Sequence, residues 1–211
     1  MTDTITGTIT TGITIDAGQG YSSPLTITSG GIVSGATAVT ASYAATLQVY
    51  GTLTGSDAGA GIGAAFQSGG AITNAATGTI DADGTAVRFA GAYGTLYNAG
   101  LIGPGATTGI AFSAGGTVSN AAGAVISGYS IAILGDSGGG AVTVDNAGRI
   151  ETRVPEVFSY GLPYTAGIYL RDGGSITNES TGTIAAYTAI KARGDSTIAN
   201  SGTIAAYNTG I

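Results

Sequence analysis

Asp81 and Asp83, in the run Asp-Ala-Asp-Gly, are the closest pair of carboxylates in the chain that could do chemistry together. Two such groups could help hold Ca²⁺, or share acid and base roles at a glycosidic bond. Either task needs further ligands from neighbouring repeats. The matching positions there are Gly103 and Gly105 on one side and Thr54 and Ser56 on the other. No carboxylate ladder forms, so the expectation is a solvated turn. The chain has no His and no Cys, which excludes His-based triads, imidazole bases and thiolate metal sites. The glycine pairs do not cradle phosphate, because no Lys-Ser or Lys-Thr follows them and no helix begins. The reading is a non-enzyme with no catalytic, cofactor-binding or metal-ligating residue and no cofactor.

Two other groups of side chains could bind rather than react. One is the stretch 151–164 (ETRVPEVFSYGLPY), which holds Arg153, Glu156, Phe158, Tyr160 and Tyr164. It interrupts a repeat that elsewhere closes in five to eight residues, and loops on repeat scaffolds often carry function. The other is the pair Tyr187 and Tyr207, at equal offsets from Ile184 and Ile204. Stacked aromatics at that spacing can pack on sugars or simply stabilise a sheet. Both groups are candidate ligand or partner sites, for a glycan or a protein of a host or matrix.

The elements that must position these residues repeat along the chain. Ser-Ile-Thr-Asn at 175–178 and Gly-Thr-Ile-Ala-Ala-Tyr at 182–187 are echoed by Thr-Ile-Ala-Asn at 197–200 and Gly-Thr-Ile-Ala-Ala-Tyr at 202–207. A period near 20 residues marks a solenoid. Gly at 39 of 211 residues and charged residues at 9% depart far from the usual ~7% and ~25%. Regularly placed Ile, Val and Leu argue for order rather than disorder. Abundant Gly, Thr and Ser without a 3.6-residue period argue against helix.

Three apolar columns can be written. One follows Gly by two residues: Val33, Leu53, Ile80, Ile102, Val125, Ile150, Ile184 and Ile204. Another precedes Asn by two: Ile72, Leu96, Val118, Val144, Ile176 and Ile198, before Asn74, Asn98, Asn120, Asn146, Asn178 and Asn200. The third is Val39, Ile62, Val87, Ile110, Ile131, Ile168, Ile190 and Ile211, with Phe89, Phe112, Ile133 and Leu170 two residues on. Alternation then leaves Arg88, Ala111, Ala132, Tyr169 and Lys191 facing outward. Three columns predict three strands per turn around one interior. Asn suits a tight bend, and stacked copies can form an amide ladder. Variable spacing predicts an all-β, right-handed, three-faced parallel β-helix of about eight turns. Residues 1–24, which lack the Asn pattern, read as an N-terminal cap, and 25–211 as the helix with its insertion.

A net charge of −6, with six basic residues scattered along the chain, argues against nucleic acid and anionic membrane surfaces. No run of apolar residues is long enough to span a bilayer, and residues 1–14 do not read as a secretory signal. The phrases at 116–123, 143–150 and 175–184 resemble passenger repeats of bacterial autotransporter-type surface proteins. That resemblance implies a right-handed β-helix acting as an adhesin or stalk, extracellular or at the bacterial surface. The favoured function is a non-enzymatic structural or adhesive segment, with self-association through an open C-terminal turn. The competing class is a carbohydrate-active or carbohydrate-binding β-helix. An ice-binding solenoid ranks lower, because ice binding wants Thr-x-Thr turn after turn on one flat face, and Thr-Ile-Thr at 4–6, 8–10 and 26–28 does not persist after Thr28.

Overall fold

The computed structural model describes residues 3–18, 20–136, 138–153 and 165–211. Within them, 26 short strands follow one another and no helix forms. Each strand pairs in parallel with the strand three further along, so three sheets of nine, nine and eight strands rise side by side. The first sheet runs from β1 (Asp3–Ile5) to β25 (Ser196–Asn200). The second runs from β2 (Thr8–Ile9) to β26 (Thr203–Thr209), and the third from β3 (Ile13–Ile15) to β24 (Ile190–Ala192). The molecule is a three-faced parallel β-solenoid of about eight turns. At ~4.8 Å per rung it is on the order of 40 Å long.

Residues 3–15 carry the three strands of a first turn, in register with the next: Asp3 beside Leu25, Ile9 beside Val33, Ile13 beside Val39. The stretch 1–24 therefore contains a rung. Tyr21 folds against its third-sheet edge, donating its N–H to the Thr14 carbonyl at 2.9 Å and accepting from Asp16 N–H at 3.1 Å.

The asparagine column forms as expected. Asn74, Asn98, Asn120, Asn146, Asn178 and Asn200 share one register position at the end of the first sheet. The first five are fully buried. Each donates its amide N–H to the Oδ1 of the next, at 2.8 to 2.9 Å. Most also reach a backbone carbonyl of the next turn, as Asn98 does to Val125 at 3.1 Å. The ladder thus pairs its buried amides, apart from the Asn74 Oδ1 at its start, which is buried with no hydrogen-bond partner, and ties each corner to its neighbour. The aliphatic column from Leu47 through Ile72, Leu96, Val118, Val144 and Ile176 stacks beside it.

The other two columns need correction at particular rungs. In the second sheet Ile126, not Val125, stands between Ile102 and Ile150; Val125 pairs with Leu101 and Arg149 and is only half-buried. The corner position occupied by Gly78 and Gly148 is taken here by Ala124, whose carbonyl accepts from Arg149 N–H at 2.8 Å. Gly123 lies outside the stack, so counting from glycine slips the register by one.

In the third sheet the column runs Val39, Ala64, Val87, Ile110, Ile133, Ile168, Ile190. Ile62 and Ile131 are displaced from it by two residues, and Ile211 is 69% exposed rather than stacked. Strict alternation fails because two successive residues point inward at the start of each strand. The first of them is always small: Ala38, Gly63, Ala86, Gly109, Ala132, Gly167 and Ala189, all buried. Ala132 is therefore inward, and Leu134 takes the outward place beside Tyr169. Gly and Ala alternate along this corner. A Cβ on Gly63, Gly109 or Gly167 would lie 2.6, 2.6 or 2.7 Å from the carbonyl oxygen of the Ala one turn on.

The far end of the third sheet holds Phe66, Phe89 and Phe112, followed by Gly135 and Leu170; Ile133 is not a member. Phe89 and Phe112 stack at 5.2 Å with planes 9° apart, while Phe66 tilts against Phe89 at 5.4 Å. Across the corner the Phe rungs meet Gly70, Gly94 and Gly116, whereas Gly135 meets Val142. A Cβ on Gly94 would fall 2.2 Å from the Phe89 ring, so ring and glycine form one volume-matched unit.

Replacing Ile133 with Ala should cost about 2–5 kcal/mol in denaturant unfolding, as for a fully buried aliphatic. Ile131→Ala should cost less, because Ile131 packs in a satellite cluster with Ala166 and Tyr169 outside the interior. Equal losses would place both in one stack. Gly109→Ala should destabilise by about 1–3 kcal/mol through overpacking at the corner, read from the same unfolding midpoint.

Candidate functional site

Asp81 and Asp83 do not share a centre. The Asp83 carboxylate accepts the backbone N–H groups of Asp57 (3.0 Å), Gly59 (3.0 Å) and Gly61 (2.7 Å), clamping the corner loop of the preceding turn. Asp81 instead accepts from Gly105 N–H at 2.7 Å, in the following turn. The two carboxylates bond backbone on opposite sides of their rung, as turn anchors. Among the described residues no group of three acidic or other ligating side chains could hold a metal ion. The Gly59 N–H above all, with those of Gly61 and Asp57, holds the Asp83 carboxyl below its ordinary value, against the opposing effect of burial.

The insertion is shorter than the stretch 151–164, because Glu151 and Thr152 belong to the second-sheet strand Arg149–Thr152. Arg153 is exposed on the flank, and its guanidinium donates to the Pro104 carbonyl. Glu156, Phe158, Tyr160 and Tyr164 lie outside the described residues. Tyr187 and Tyr207 fall where the register shifts, since Ala186 pairs with Ala206 but Thr188 with Thr209. Tyr187 is half-buried and Tyr207 is 72% exposed. Their rings do not stack; among the described residues ring stacking belongs to the internal phenylalanines.

The basic residues are less scattered than their sequence positions suggest. Arg171, Lys191 and Arg193 place their cationic groups 5.2, 5.0 and 5.8 Å from the ring centroid of Tyr169. Tyr169 is fully buried although it occupies an outward position of the third sheet. Lys191 is its direct cross-strand partner, and Arg171 also pairs with Asp136 at 2.8 Å. The Tyr-x-Arg and Lys-x-Arg spacings carry this signal, but only the rung alignment brings the two dipeptides together.

The outer face of the first sheet was missed by motif counting. Its strands pair without any register shift from Gly70–Asn74 to Ser196–Asn200, and every second residue faces out. One outward column reads Thr46, Ala71, Thr95, Thr117, Thr143, Ser175, Thr197. The column beside it begins with Thr4, Thr26, Gln48 and Thr73 and continues through Tyr97, Ser119, Asp145, Thr177 and Ala199. Thr or Ser thus fills every outward position of this face except Gln48, Ala71, Tyr97, Asp145 and Ala199. Asp145 is its single charged outward residue. Ser175 donates to Thr143 Oγ1 at 3.2 Å, and the Tyr93 hydroxyl bonds that of Thr117. The sequence signal is the residue on either side of the aliphatic in Thr-Val-Ser-Asn and its cognates.

A cleft of about 520 Å³ also opens at the N-terminal end, between β3, Tyr21 and the third-sheet strand Thr37–Ala41. It is lined without charge, by Thr11, Thr14, Thr37, Thr40 and Tyr21 among others.

No family model, curated protein or solved structure matches the chain.

The clamp on the loop 56–61 should depend on pH in a defined direction. Because the Asp83 carboxyl titrates below its ordinary value of 3.8, its contribution is present above that value. It is lost as pH falls through the lower value of the folded chain. Protection of the Gly59 and Gly61 amides, taken relative to the intrinsic exchange rate at each pH, should therefore be lost only in acid for the native chain, and already at neutral pH for Asp83→Asn. Slow exchange in the variant at neutral pH would show that the carboxylate does not anchor the loop.

Proposed function

We propose that this chain is a non-enzymatic structural or adhesive segment of a bacterial extracellular or cell-surface repeat protein, wound as a right-handed β-helix. The observation that carries the reading is the unbroken stack: five successive amide links bind six rungs through a buried corner. Such a stack makes a stiff rod in which each turn supports only its neighbours, while the outer faces remain free to present binding groups. Low charge and the absence of cysteine accord with an exported rod. The resemblance of its Asn-containing repeats to autotransporter-type passengers points the same way, and the partner expected is a host or matrix glycan or protein.

The competing class, a carbohydrate-active enzyme, is separated by one experiment. Incubation with a panel of neutral and acidic polysaccharides should give retention on some members and no new reducing ends or unsaturated products. Product release that persists in Asp81→Asn and Asp83→Asn variants would replace this reading with an enzyme using other groups.

A further inference from the structure

We propose that the outer face of the first sheet binds the surface of ice. Three properties of the face select that ligand. It is periodic, since its rungs are in unshifted register and repeat at the ~4.8 Å strand spacing. It is almost uncharged, with Asp145 its one outward ion, so it does not compete for ice by holding a tightly hydrated charge. And most of its side chains are threonines, short and β-branched. Stacked threonines have little χ1 freedom, so their hydroxyl and methyl rows are set before any ligand arrives and ordering them costs little.

The other two faces lack this combination. The outward column of the second sheet passes from Thr52 and Thr79 to Leu101, Val125 and Arg149. The third presents Arg88, Leu134, Tyr169 and Lys191. A crystalline polysaccharide is also flat and periodic, but it is held by rows of exposed aromatic rings stacking on the sugars. Here Tyr97 is the single aromatic in either outward column, and the exposed Tyr93, whose hydroxyl bonds Thr117 from the neighbouring corner, does not extend it into a row. A lattice of water offers hydrogen-bond donors and acceptors at a repeat close to the strand spacing, and the hydroxyl column answers it rung by rung. The second column is interrupted at Gln48, Tyr97 and Asp145, so the column from Thr95 to Thr197 carries the contact.

The test uses the whole chain. Its solutions should show thermal hysteresis and inhibit ice recrystallisation, which a solution of an ordinary protein at the same concentration does not. Thr117→Lys and Thr143→Lys should abolish both effects, while Thr52→Lys and Thr79→Lys on the second sheet should leave them intact. Asp145→Thr, which completes Thr-x-Thr on its rung, should increase hysteresis. If a first-sheet lysine variant lowers the melting temperature, Asp145→Thr decides: a gain supports the assignment and no gain overturns it. Absence of hysteresis in the native chain overturns it as well. So does adsorption to microcrystalline cellulose without ice activity, which would make the face a polysaccharide surface instead.

Discussion

Each turn of this solenoid must bend three times around a narrow interior, and the structure depends on how those bends bury backbone and amide groups. At the bend between the first and second sheets the answer is a hydrogen-bonded amide chain. A buried carboxamide left unpaired would cost about 1–3 kcal/mol, so each Asn from Asn74 to Asn178 specifies the height and register of the next. A slip of one residue would expel a whole corner from its ladder and turn aliphatic side chains to solvent. This is why Ala124 stands in a position that elsewhere is glycine. The fixed point is the Asn120 amide, not the glycine that happens to lie nearest.

The other two bends are governed by volume. Between the second and third sheets the chain brings two successive residues inward, and the space admits only Gly and Ala. Their strict alternation, from Ala38 to Ala189, follows from the carbonyl oxygen of each Ala lying under the preceding Gly. Between the third and first sheets, Phe faces Gly on three rungs, and the small residue changes sides when Gly135 faces Val142. The high glycine content is therefore a property of the corners. Glycine pairs there also adopt left-handed angles, as at Gly69 and Gly70 (φ 70° and 129°).

With the interior so constrained, the faces carry the differences. The first sheet is a hydroxyl lattice. The third gathers Arg171, Lys191 and Arg193 around the buried Tyr169 ring, with Arg171 tied to Asp136. The second is mixed, and carries at its corner with the third the carboxylates that clamp loops of adjoining turns. Asp81 and Asp83 illustrate how a pair that looks catalytic in sequence becomes two separate anchors once each finds backbone N–H groups in a different turn.

The sequence by itself determined that the chain is an all-β solenoid with three strands per turn, because short apolar strands punctuated by Asn and Gly at a near-constant interval permit little else. It also determined the asparagine column and the aliphatic column beside it, since those residues sit in strands whose alternation is regular. Tertiary structure decided the rest. Only stacking reveals that the third-sheet strands break alternation at their first residues, which moves Ile131 out of the interior and Ile133 into it. Only the alignment of rungs turns hydroxyl residues some 22 to 32 residues apart into one row, as Thr95 beside Thr117 and Thr143 beside Ser175. It likewise sets Lys191 beside Tyr169. Side chains on one face are neighbours across strands rather than along the chain, and their register is fixed by buried corners that no local motif describes.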